Sequence, residues 1–297
     1  MKAGPSTMLR TGFIGLGSMG WHMASHLARK HLLGAEWNRS TDKAKNFTAE
    51  FGVRAAENPA DVWSDCDTTI LCVTADAQVL EMVDALAIPA ARGKLVIDTS
   101  TVARETAIEA AARLKKVGAR FLDAPITGGT EGARNAKLTF MVGGEQKDFT
   151  EAAPLFAAMG ARHLHMGPHG AGQATKAVNQ VMCAGINHAV TEGLAFAEAL
   201  GLPLEKVIEV TGSGAAGSWF INHRGKTMVE GRYPPGFKLA LHHKDLLIVQ
   251  RMARALGGKL PVTEATLAPY EELMKQGFGE EDISALYRIN KKLFPKK

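Results

Sequence analysis

The 297-residue chain is poor in cysteine and contains neither a long apolar run nor a concentrated block of basic residues. Its three cysteines, Cys66, Cys72 and Cys183, form no C-x-x-C pair, which argues against a disulfide framework and a structural zinc site. No stretch approaches the roughly 18 consecutive apolar residues that span a bilayer, so we expect no membrane segment. The basic residues are scattered, which argues against nucleic-acid binding, whereas the net charge of +5 favours anionic small molecules.

The N-terminus lacks both the long apolar core of a secretory signal and the many arginines of a transit peptide. We therefore predict that residues 1–8 are a disordered leader. We also expect a cytoplasmic protein whose thiols stay reduced. A chain of this length is long for one hydrophobic core, which predicts two domains.

Short apolar runs alternate with helical patterns in the first half of the chain. The runs predict strands at 11–16, 35–38, 68–73, 94–100, 120–126 and 138–144. Helical spacing of apolar residues appears at 23–32, 77–87 and 103–118. Such alternation predicts a parallel sheet with right-handed crossovers. The pattern ends near His165, and the remainder shows only helices, broken by Gly- and Pro-rich turns at 211–217, 233–236 and 256–261.

A G-x-G-x-x-G motif lies between the first predicted strand and the first predicted helix. It consists of Gly15, Leu16, Gly17, Ser18, Met19 and Gly20. The pattern also occurs in ordinary turns, but in this context its glycines permit a tight turn and the close approach of a pyrophosphate to a helix N-terminus. We expect Val73, the last residue of the strand predicted at 68–73, to belong to the same cofactor site. We predict an α/β fold, with a Rossmann-type doubly wound domain over residues 9–166 and an all-α domain over 167–297.

The residues after the second predicted strand favour NADP over NAD, although NAD remains possible. An NAD site usually offers a carboxylate there to the ribose 2′-hydroxyl, whereas this chain has Asn38, Arg39 and Ser40. Arg39 can pair with a 2′-phosphate, and the other two can hydrogen-bond it. Glu36 is the competing acid, but we expect strand alternation to separate it from that phosphate. The alternative for Arg39 is a solvated loop cation.

Two later strand ends carry further candidate residues, because open α/β sheets bind ligands at the carboxyl ends of their strands. Thr101 follows the strand at 94–100 and is either a helix N-cap or a residue facing the nicotinamide. Thr127, Gly128 and Gly129 follow Pro125. Their backbone N–H groups and the threonine hydroxyl could hold a substrate carboxylate, or the segment could be a structural turn.

Lys176 is the only formal charge between Arg162 and Glu192. Helical spacing aligns it with Gly172, Asn179 and Cys183 on one face, with Gln180 adjacent. Desolvation of a lysine favours its neutral form, which would make it a proton donor and acceptor near neutral pH. The alternative is a lysine at a domain edge whose charged end reaches solvent.

Six ordered segments together resemble the β-hydroxyacid dehydrogenase family, which includes 3-hydroxyisobutyrate dehydrogenase and tartronate semialdehyde reductase. They are GLGSMGWHM (15–23), DTST (98–101), DAPITGGTEGA (123–133), LTFMVGG (138–144), GQATKAVNQ (172–180) and HKDL (243–246). The resemblance implies a Rossmann domain, a helical second domain that also builds a homodimer or homotetramer, and an active site in the cleft between them.

The resemblance also implies roles for individual residues. Lys176 matches the family's catalytic lysine and Asn179 the asparagine that assists it. The loop of Thr127, Gly128 and Gly129 matches the substrate-carboxylate loop, although the family usually has serine in place of the threonine. Lys244, followed by Asp245, matches a lysine near the cofactor. The stretch 217–229 resembles the semialdehyde-reductase branch of the family.

We therefore expect an NADP-preferring oxidoreductase that interconverts a short β-hydroxyacid and its semialdehyde by hydride transfer, with Lys176 as general acid and base. Its partner is a small carboxylate substrate. The alternatives are a succinate semialdehyde or glyoxylate reductase of the same family, and a catalytically silent NADP-binding sensor.

Three other classes fit less well. 6-Phosphogluconate dehydrogenase is a longer chain with histidine in place of Asn179, and imine reductases typically replace Lys176 by Asp or Tyr. A metal protein would depend on histidines, namely His163, His165 and His169 or His242 and His243. No carboxylate or cysteine completes either set, so we expect no metal.

Overall fold

The computed structural model describes residues 10–294, so the leader predicted at residues 1–8 lies outside the described residues. Strands and helices alternate in the first part of the chain. The strands are β1 Thr11–Ile14, β2 Leu33–Trp37, β3 Arg54–Ala55, β4 Thr68–Leu71, β5 Leu95–Asp98, β6 Arg120–Asp123, β7 Ile126–Thr127, β8 Leu138–Gly144 and β9 Gly160–Gly167. The helices are α1 Gly20–Arg29, α2 Thr41–Phe51, α3 Asp76–Leu86, α4 Arg104–Lys116, α5 Gly129–Arg134 and α6 Gln146–Met159. Short 3₁₀ helices span Pro59–Ser64 and Pro89–Ala91.

From Ala171 onward the elements are helical. They are α7 Ala171–Ala199, α8 Leu204–Ser213, α9 Trp219–Val229, α10 Leu239–Ala255, α11 Pro261–Lys275 and α12 Tyr287–Asn290, with 3₁₀ helices at Phe278–Glu280, Ile283–Leu286 and Lys291–Leu293. All three predicted turns separate consecutive helices, which confirms them. In the described part of the chain, no helix is long and apolar enough to cross a membrane.

The sheet of the first part is mainly parallel. Strands β3, β2, β1, β4, β5 and β6 lie side by side in that order and run parallel. The order reverses direction between β1 and β4, which is where open α/β sheets form a ligand crevice. Strand β8 is antiparallel to both β6 and β7, and β9 is parallel to β8. The α/β fold with a doubly wound first domain is therefore confirmed, with β7, β8 and β9 added beyond β6, of which β8 and β9 run antiparallel to the main sheet.

Apolar side chains cover both faces of this sheet, which explains why the strand sequences are nearly continuous apolar runs. One buried cluster joins Phe13 to Met23 of α1 and Phe156 of α6. The cluster on the other face contains side chains of α3 and α4, including Val83 and Leu114. The helical part has its own core, which includes Leu246, Leu267, Tyr270 and Tyr287.

The described chain divides into two compact units after Lys176, inside helix α7. The boundary predicted at 166–167 marks the change from strands to helices instead. The two positions differ because the first turn of α7 packs against the first unit. A Cβ atom on Gly172 would lie 2.4 Å from the carbonyl oxygen of Met141 in β8.

All six predicted strands are present, but several of their ends differ. Strand β1 ends at Ile14 because Gly15 has φ +102°, which turns the chain. The strand predicted at 120–126 is two strands, β6 and β7. It breaks before Ile126, because Pro125 has no N–H to donate in a hydrogen bond to a neighbouring strand. The set of predicted strands omitted β3 and β9.

Candidate active site

The glycine loop between β1 and α1 contains three glycines with different reasons for lacking a side chain. A Cβ on Gly15 would lie 2.3 Å from the carbonyl oxygen of Cys72, and one on Gly20 would lie 1.9 Å from that of Gly15. A Cβ on Gly17 would have no atom of the described residues within 4 Å. Gly15 and Gly20 are thus required by the protein itself, whereas the space at Gly17 suits the close approach of a ligand.

The N-terminus of α1 is open to an anion. Met19 precedes the helix and makes no side-chain capping hydrogen bond, and the first turn contains no acidic residue. The first N–H groups of a helix have no partner within it and favour negative charge. Together with the space at Gly17, this fits a dinucleotide pyrophosphate, which the loop residues from Gly15 to Gly20 would hold.

Asn38 has a structural contact that the sequence did not indicate. Its Oδ1 accepts a hydrogen bond of 2.9 Å from the N–H of Leu16, and its Nδ2 donates to the carbonyl oxygen of Ser40 at 3.0 Å. The side chain therefore joins the glycine loop to the turn between β2 and α2. Arg39 and Ser40 are exposed at that turn, and Ser40 precedes α2 without a side-chain capping bond.

Glu36 is fully buried in β2. Neither carboxylate oxygen has a hydrogen-bond partner among the described residues, and burial raises the pKa of this carboxyl from 4.5 to about 7. The carboxyl thus does not reach the surface where a ribose could meet it.

The ends of β4 and β5 are joined next to the glycine loop. The N–H of Val73 donates to Oγ of Ser100 at 2.9 Å, and Cγ1 of Val73 lies 3.5 Å from the position of a Cβ on Gly15. Thr101, partly buried, follows in the same loop. The N-cap alternative for Thr101 is wrong, because Ala103 occupies the N-cap position of α4. The N–H of Ala103 donates to Oδ1 of Asp76 instead.

The predicted substrate loop follows β7 and has a conformation that requires glycine. Gly128 has φ +125° and Gly129 has φ +62°, a region that side chains disfavour. Thr127 is the last residue of β7, opposite Thr139 of β8, and its side chain is partly buried. The loop therefore presents a hydroxyl directly before two glycine N–H groups.

Lys176 lies in α7 and is only 7% exposed. The helix turn before it is fixed to the first unit by Asp123, at the end of β6. The Asp123 carboxylate accepts hydrogen bonds from the N–H of Gly170 at 2.7 Å and of Gln173 at 3.0 Å. Burial raises the pKa of Asp123, and these two N–H donors act in the opposite direction.

The Gln173 side chain makes two further bonds within the first unit. Its Nε2 donates to the carbonyl oxygen of Ser100 at 2.8 Å. Its Oε1 accepts from the N–H of Val102 at 3.2 Å. The first turn of α7 is thus bonded to the ends of both β5 and β6.

The second unit connects two of the sequence motifs through side chains. Nδ2 of Asn179 donates to Oε1 of Gln180 at 2.8 Å. Nε2 of Gln180 then donates to Oδ2 of Asp245 at 2.7 Å. The other carboxylate oxygen of Asp245 lies 3.0 Å from Nζ of Lys244. This chain of contacts brings the predicted Asn179 and Lys244 into one network.

Three residues of this arrangement were missed as functional candidates: Asp123, Gln173 and Gln180. Each lies inside a segment that carried the family resemblance, and helical spacing also placed Gln180 beside the face that carries Lys176. Their bonds join residues from 47 to 73 positions apart, which periodicity does not reveal.

The histidines of the metal alternative do not assemble a site. Nε2 of His165 lies 2.7 Å from the carbonyl oxygen of Gly144, and Nε2 of His169 lies 2.9 Å from that of Phe121. Within residues 10–294, no group of three or more His, Cys, Asp or Glu residues is arranged to hold a metal ion.

Two family models cover most of the chain. Residues 10–167 match the family model described as the NAD binding domain of 6-phosphogluconate dehydrogenase. Residues 170–290 match the family model described as "NAD-binding of NADP-dependent 3-hydroxyisobutyrate dehydrogenase". Together with the glycine loop, these matches define an NAD(P)-dependent oxidoreductase.

The chain belongs to the β-hydroxyacid dehydrogenase family. The 2-hydroxy-3-oxopropionate reductase of Escherichia coli (strain K12) is 32% identical over 94% of this chain and 96% of the relative. The NAD-dependent L-serine dehydrogenase of Pseudomonas aeruginosa is 32% identical over 95% and 98%. The structure of Mycobacterium tuberculosis 3-hydroxyisobutyrate dehydrogenase with L-serine has a TM-score of 0.87 at 27% identity, covering 95% of this chain and 99% of that one.

Proposed function

We propose that this enzyme is an NADP-preferring reductase that interconverts a short β-hydroxyacid and its semialdehyde, with Lys176 as the proton donor and acceptor. The observation that carries the proposal is the burial of this lysine in α7, directly after a turn bonded to two strand ends of the cofactor-binding unit. A buried amine held by a rigid helix suits proton transfer better than a solvated one does.

A nicotinamide cofactor held by the glycine loop would supply the hydride for reduction of the aldehyde carbon. Nζ of Lys176 gives a proton to the carbonyl oxygen, so that an alcohol forms and the lysine is left neutral. In the oxidative direction the neutral amine takes that proton back. Asn179 lies three residues further along α7, on the same helix face, and orients the amine or the substrate hydroxyl. Its bond to Gln180 fixes the carboxamide for this role.

The loop of Thr127, Gly128 and Gly129 binds the substrate carboxylate in this proposal. The threonine hydroxyl and the glycine N–H groups are the donors, and the positive φ angles of both glycines support the assignment. The names of the relatives support a small acid without agreeing on one. They include 2-hydroxy-3-oxopropionate, L-serine, and the glyoxylate and succinic semialdehyde of an Arabidopsis thaliana reductase.

NADP preference is supported by the turn after β2. Arg39 is exposed there, Ser40 makes no capping bond to α2, and Glu36 is buried in the strand. A 2′-phosphate would therefore meet a guanidinium and a hydroxyl rather than a carboxylate. NAD remains the possible second cofactor. Val73, Thr101 and Lys244 are the further residues that we assign to the cofactor site.

A homodimer or homotetramer is supported by helix α7. Val178, Met182 and Ile186 are each more than 40% exposed and lie four residues apart, so they form an apolar stripe. Such a stripe is typical of an interface, and light scattering of the purified protein would give the assembly size. We also propose a cytoplasmic location. Its support is that Cys66, Cys72 and Cys183 form no disulfide.

The test is to follow oxidation of NADPH and NADH against tartronate, methylmalonate and succinate semialdehydes and glyoxylate. We expect Lys176→Ala to lower kcat/KM about 10³-fold or more, because proton transfer is lost. Lys176→Arg is the matched control, since it keeps the positive charge but does not release a proton. Arg39→Ala should reduce the preference for NADPH by about tenfold or more. Wild-type turnover by Lys176→Ala would contradict the proposal.

A further inference from the structure

The first turn of α7 is capped by a side chain from another element. The N–H groups at a helix start have no partner within the helix, and those of Gly170 and Gln173 bond instead to the two carboxylate oxygens of Asp123. A carboxylate at this end of a helix is also favoured by the helix dipole. Asp123 is fully buried, so solvent does not compete for these bonds.

Two glycines make room for this carboxylate. A Cβ on Gly143 of β8 would lie 2.5 Å from Oδ1 of Asp123, and one on Gly172 would lie 2.8 Å from its Oδ2. Both distances are shorter than real carbon contacts permit. The helix turn and the strand therefore both approach the carboxylate at a glycine, where no side chain would fit.

Gln173 holds the same turn from the neighbouring strand end. Its carboxamide bonds to the backbone of Ser100 and Val102, and its side chain is 1% exposed. Strands β5 and β6 are adjacent and in register, with Asp98 opposite Asp123. The ends of two neighbouring strands are thus hydrogen-bonded to one helix turn.

We propose that Asp123 and Gln173 are positioning residues for catalysis, which together set where the amine of Lys176 stands relative to the ends of β5 and β6. This inference rests on the proposed role of Lys176. The lysine follows Gln173 by three residues, or about 4.5 Å along a helix, so a shift of the first turn is passed directly to it. The loop with Thr101 begins at the end of β5, and β7, which ends at Thr127, follows β6 after two residues.

A purely structural cap would stabilise the protein without affecting the chemical step, and a matched pair of variants separates the two roles. Asp123→Asn keeps the size of the side chain but removes one of the two acceptors. Asp148→Asn is the control, because Asp148 is also a buried carboxylate of the first unit but bonds to Arg120 rather than to α7. Both variants should lower the melting temperature.

Only Asp123→Asn should slow the hydride step. We expect kcat to fall about 30-fold or more, since misplacement of a catalytic group by about 1 Å costs on the order of 100-fold. The isotope effect on kcat with NADPH deuterated at the transferred position should rise, while the dissociation constant for NADPH stays within about threefold of wild type. Asp148→Asn should keep kcat within about threefold.

Gln173 variants provide a second test should Asp123→Asn fail to fold. Gln173→Met removes both side-chain bonds, whereas Gln173→Glu keeps the acceptor for the N–H of Val102. We expect kcat to rank wild type first, then Gln173→Glu, then Gln173→Met. A cap that only stabilises the fold would change the melting temperatures in this order without changing kcat.

The proposal is overturned if Asp123→Asn and Gln173→Met keep the kcat and isotope effect of the Asp148→Asn control. It is also overturned if their loss of kcat is matched by an equal loss of NADPH affinity, because the residues would then support the cofactor site. Lys176→Ala separates this failure from that of the proposed function. An inactive Lys176→Ala beside a fully active Asp123→Asn removes only the positioning role.

Hydrogen exchange gives a readout that does not need turnover. In wild type the amides of Gly170 and Gln173 should exchange slowly, and Asp123→Asn should increase exchange at 170–176 but not in the later turns of α7. Unchanged exchange in that segment would show that the carboxylate does not hold the helix, whatever the substrate is.

Discussion

Two strands of the first unit each bury a carboxylate completely, Glu36 in β2 and Asp123 at the end of β6. Burial raises the pKa of both groups, but their surroundings differ. Asp123 accepts two backbone N–H bonds, whereas Glu36 has no hydrogen-bond partner among the described residues. The comparison teaches that equal burial has opposite consequences: donors make one carboxylate an anchor, and their absence leaves the other a cost in stability.

The largest effect should come from filling the space beside the anchored carboxylate. Gly172→Ala would place a Cβ 2.4 Å from the carbonyl oxygen of Met141 and 2.6 Å from that of Asp123. Because backbone atoms have little room to move, we expect a loss of about 3 kcal/mol in unfolding free energy, measured by urea denaturation.

Gly193→Ala in the same helix is the matched control, since a Cβ there would have no atom of the described residues within 4 Å. It should be neutral or stabilise the protein by up to about 1 kcal/mol, through helix propensity. Equal losses in both variants would show that the turn beside Asp123 is not tightly packed.

A smaller effect on the free energy of unfolding should follow from removing the charge of Glu36, the carboxylate that has no hydrogen-bond partner among the described residues. The pKa of Glu36 is raised to about 7 in the folded state, so the folded state binds the proton more tightly than the unfolded state does. Stability from this group is complete below pH 4.5 and is lost as the pH rises to about 7. Glu36→Gln should therefore gain stability over wild type across this window, by at most about 3 kcal/mol at pH 8.

The measurement is the free energy of unfolding of both proteins from pH 4.5 to 8. Parallel curves would mean that Glu36 keeps its ordinary pKa and that the contrast with Asp123 fails. Asp123→Asn should show no comparable gain, because removing an acceptor leaves a buried N–H without a partner.

The smallest effect should lie just beyond the anchored carboxylate, at the end of β7. Thr127→Ser removes one methyl group and keeps the hydroxyl that we assign to the substrate carboxylate. We expect kcat/KM for glyoxylate to change by no more than about threefold, and that for the bulkier semialdehydes to rise by up to about tenfold. A uniform loss for all substrates would instead indicate that the methyl group orders the loop.

The sequence was sufficient for the parts of the fold that depend on local pattern. The six predicted strands, the glycine loop and the change to helices all follow from periodicity and turn residues. Strand β9 was missed because its alternation is inverted: His163 and His165 are partly buried, whereas Leu164 and Met166 are exposed. The break at Pro125 was missed because an apolar run hides it.

The candidate site could be predicted only as far as its motifs. Asn38 was assigned to a cofactor phosphate, but its side-chain oxygen Oδ1 accepts a hydrogen bond from the N–H of Leu16, 22 positions earlier. The bonds of Asp123 to α7 are likewise long-range, and no local pattern separates such a residue from any other strand-end aspartate. Hydrogen-bond partners depend on tertiary structure, which explains why residue types were found more readily than their roles.

The space around Asp123 also restricts how this sequence can diverge. Gly143 and Gly172 lie 29 positions apart, yet a Cβ on either would lie too close to the Asp123 carboxylate, and one on Gly172 would also clash with the backbone carbonyl oxygens of Met141 and Asp123. A side chain gained at 143 would have to be accompanied by a smaller residue at 123, and the helix would then need another acceptor for its first N–H groups. A side chain gained at 172 would also require the backbone of β6 and β8 to move. These three positions should therefore change together or not at all. They would serve as a marker of common descent even between proteins whose other α7 residues differ.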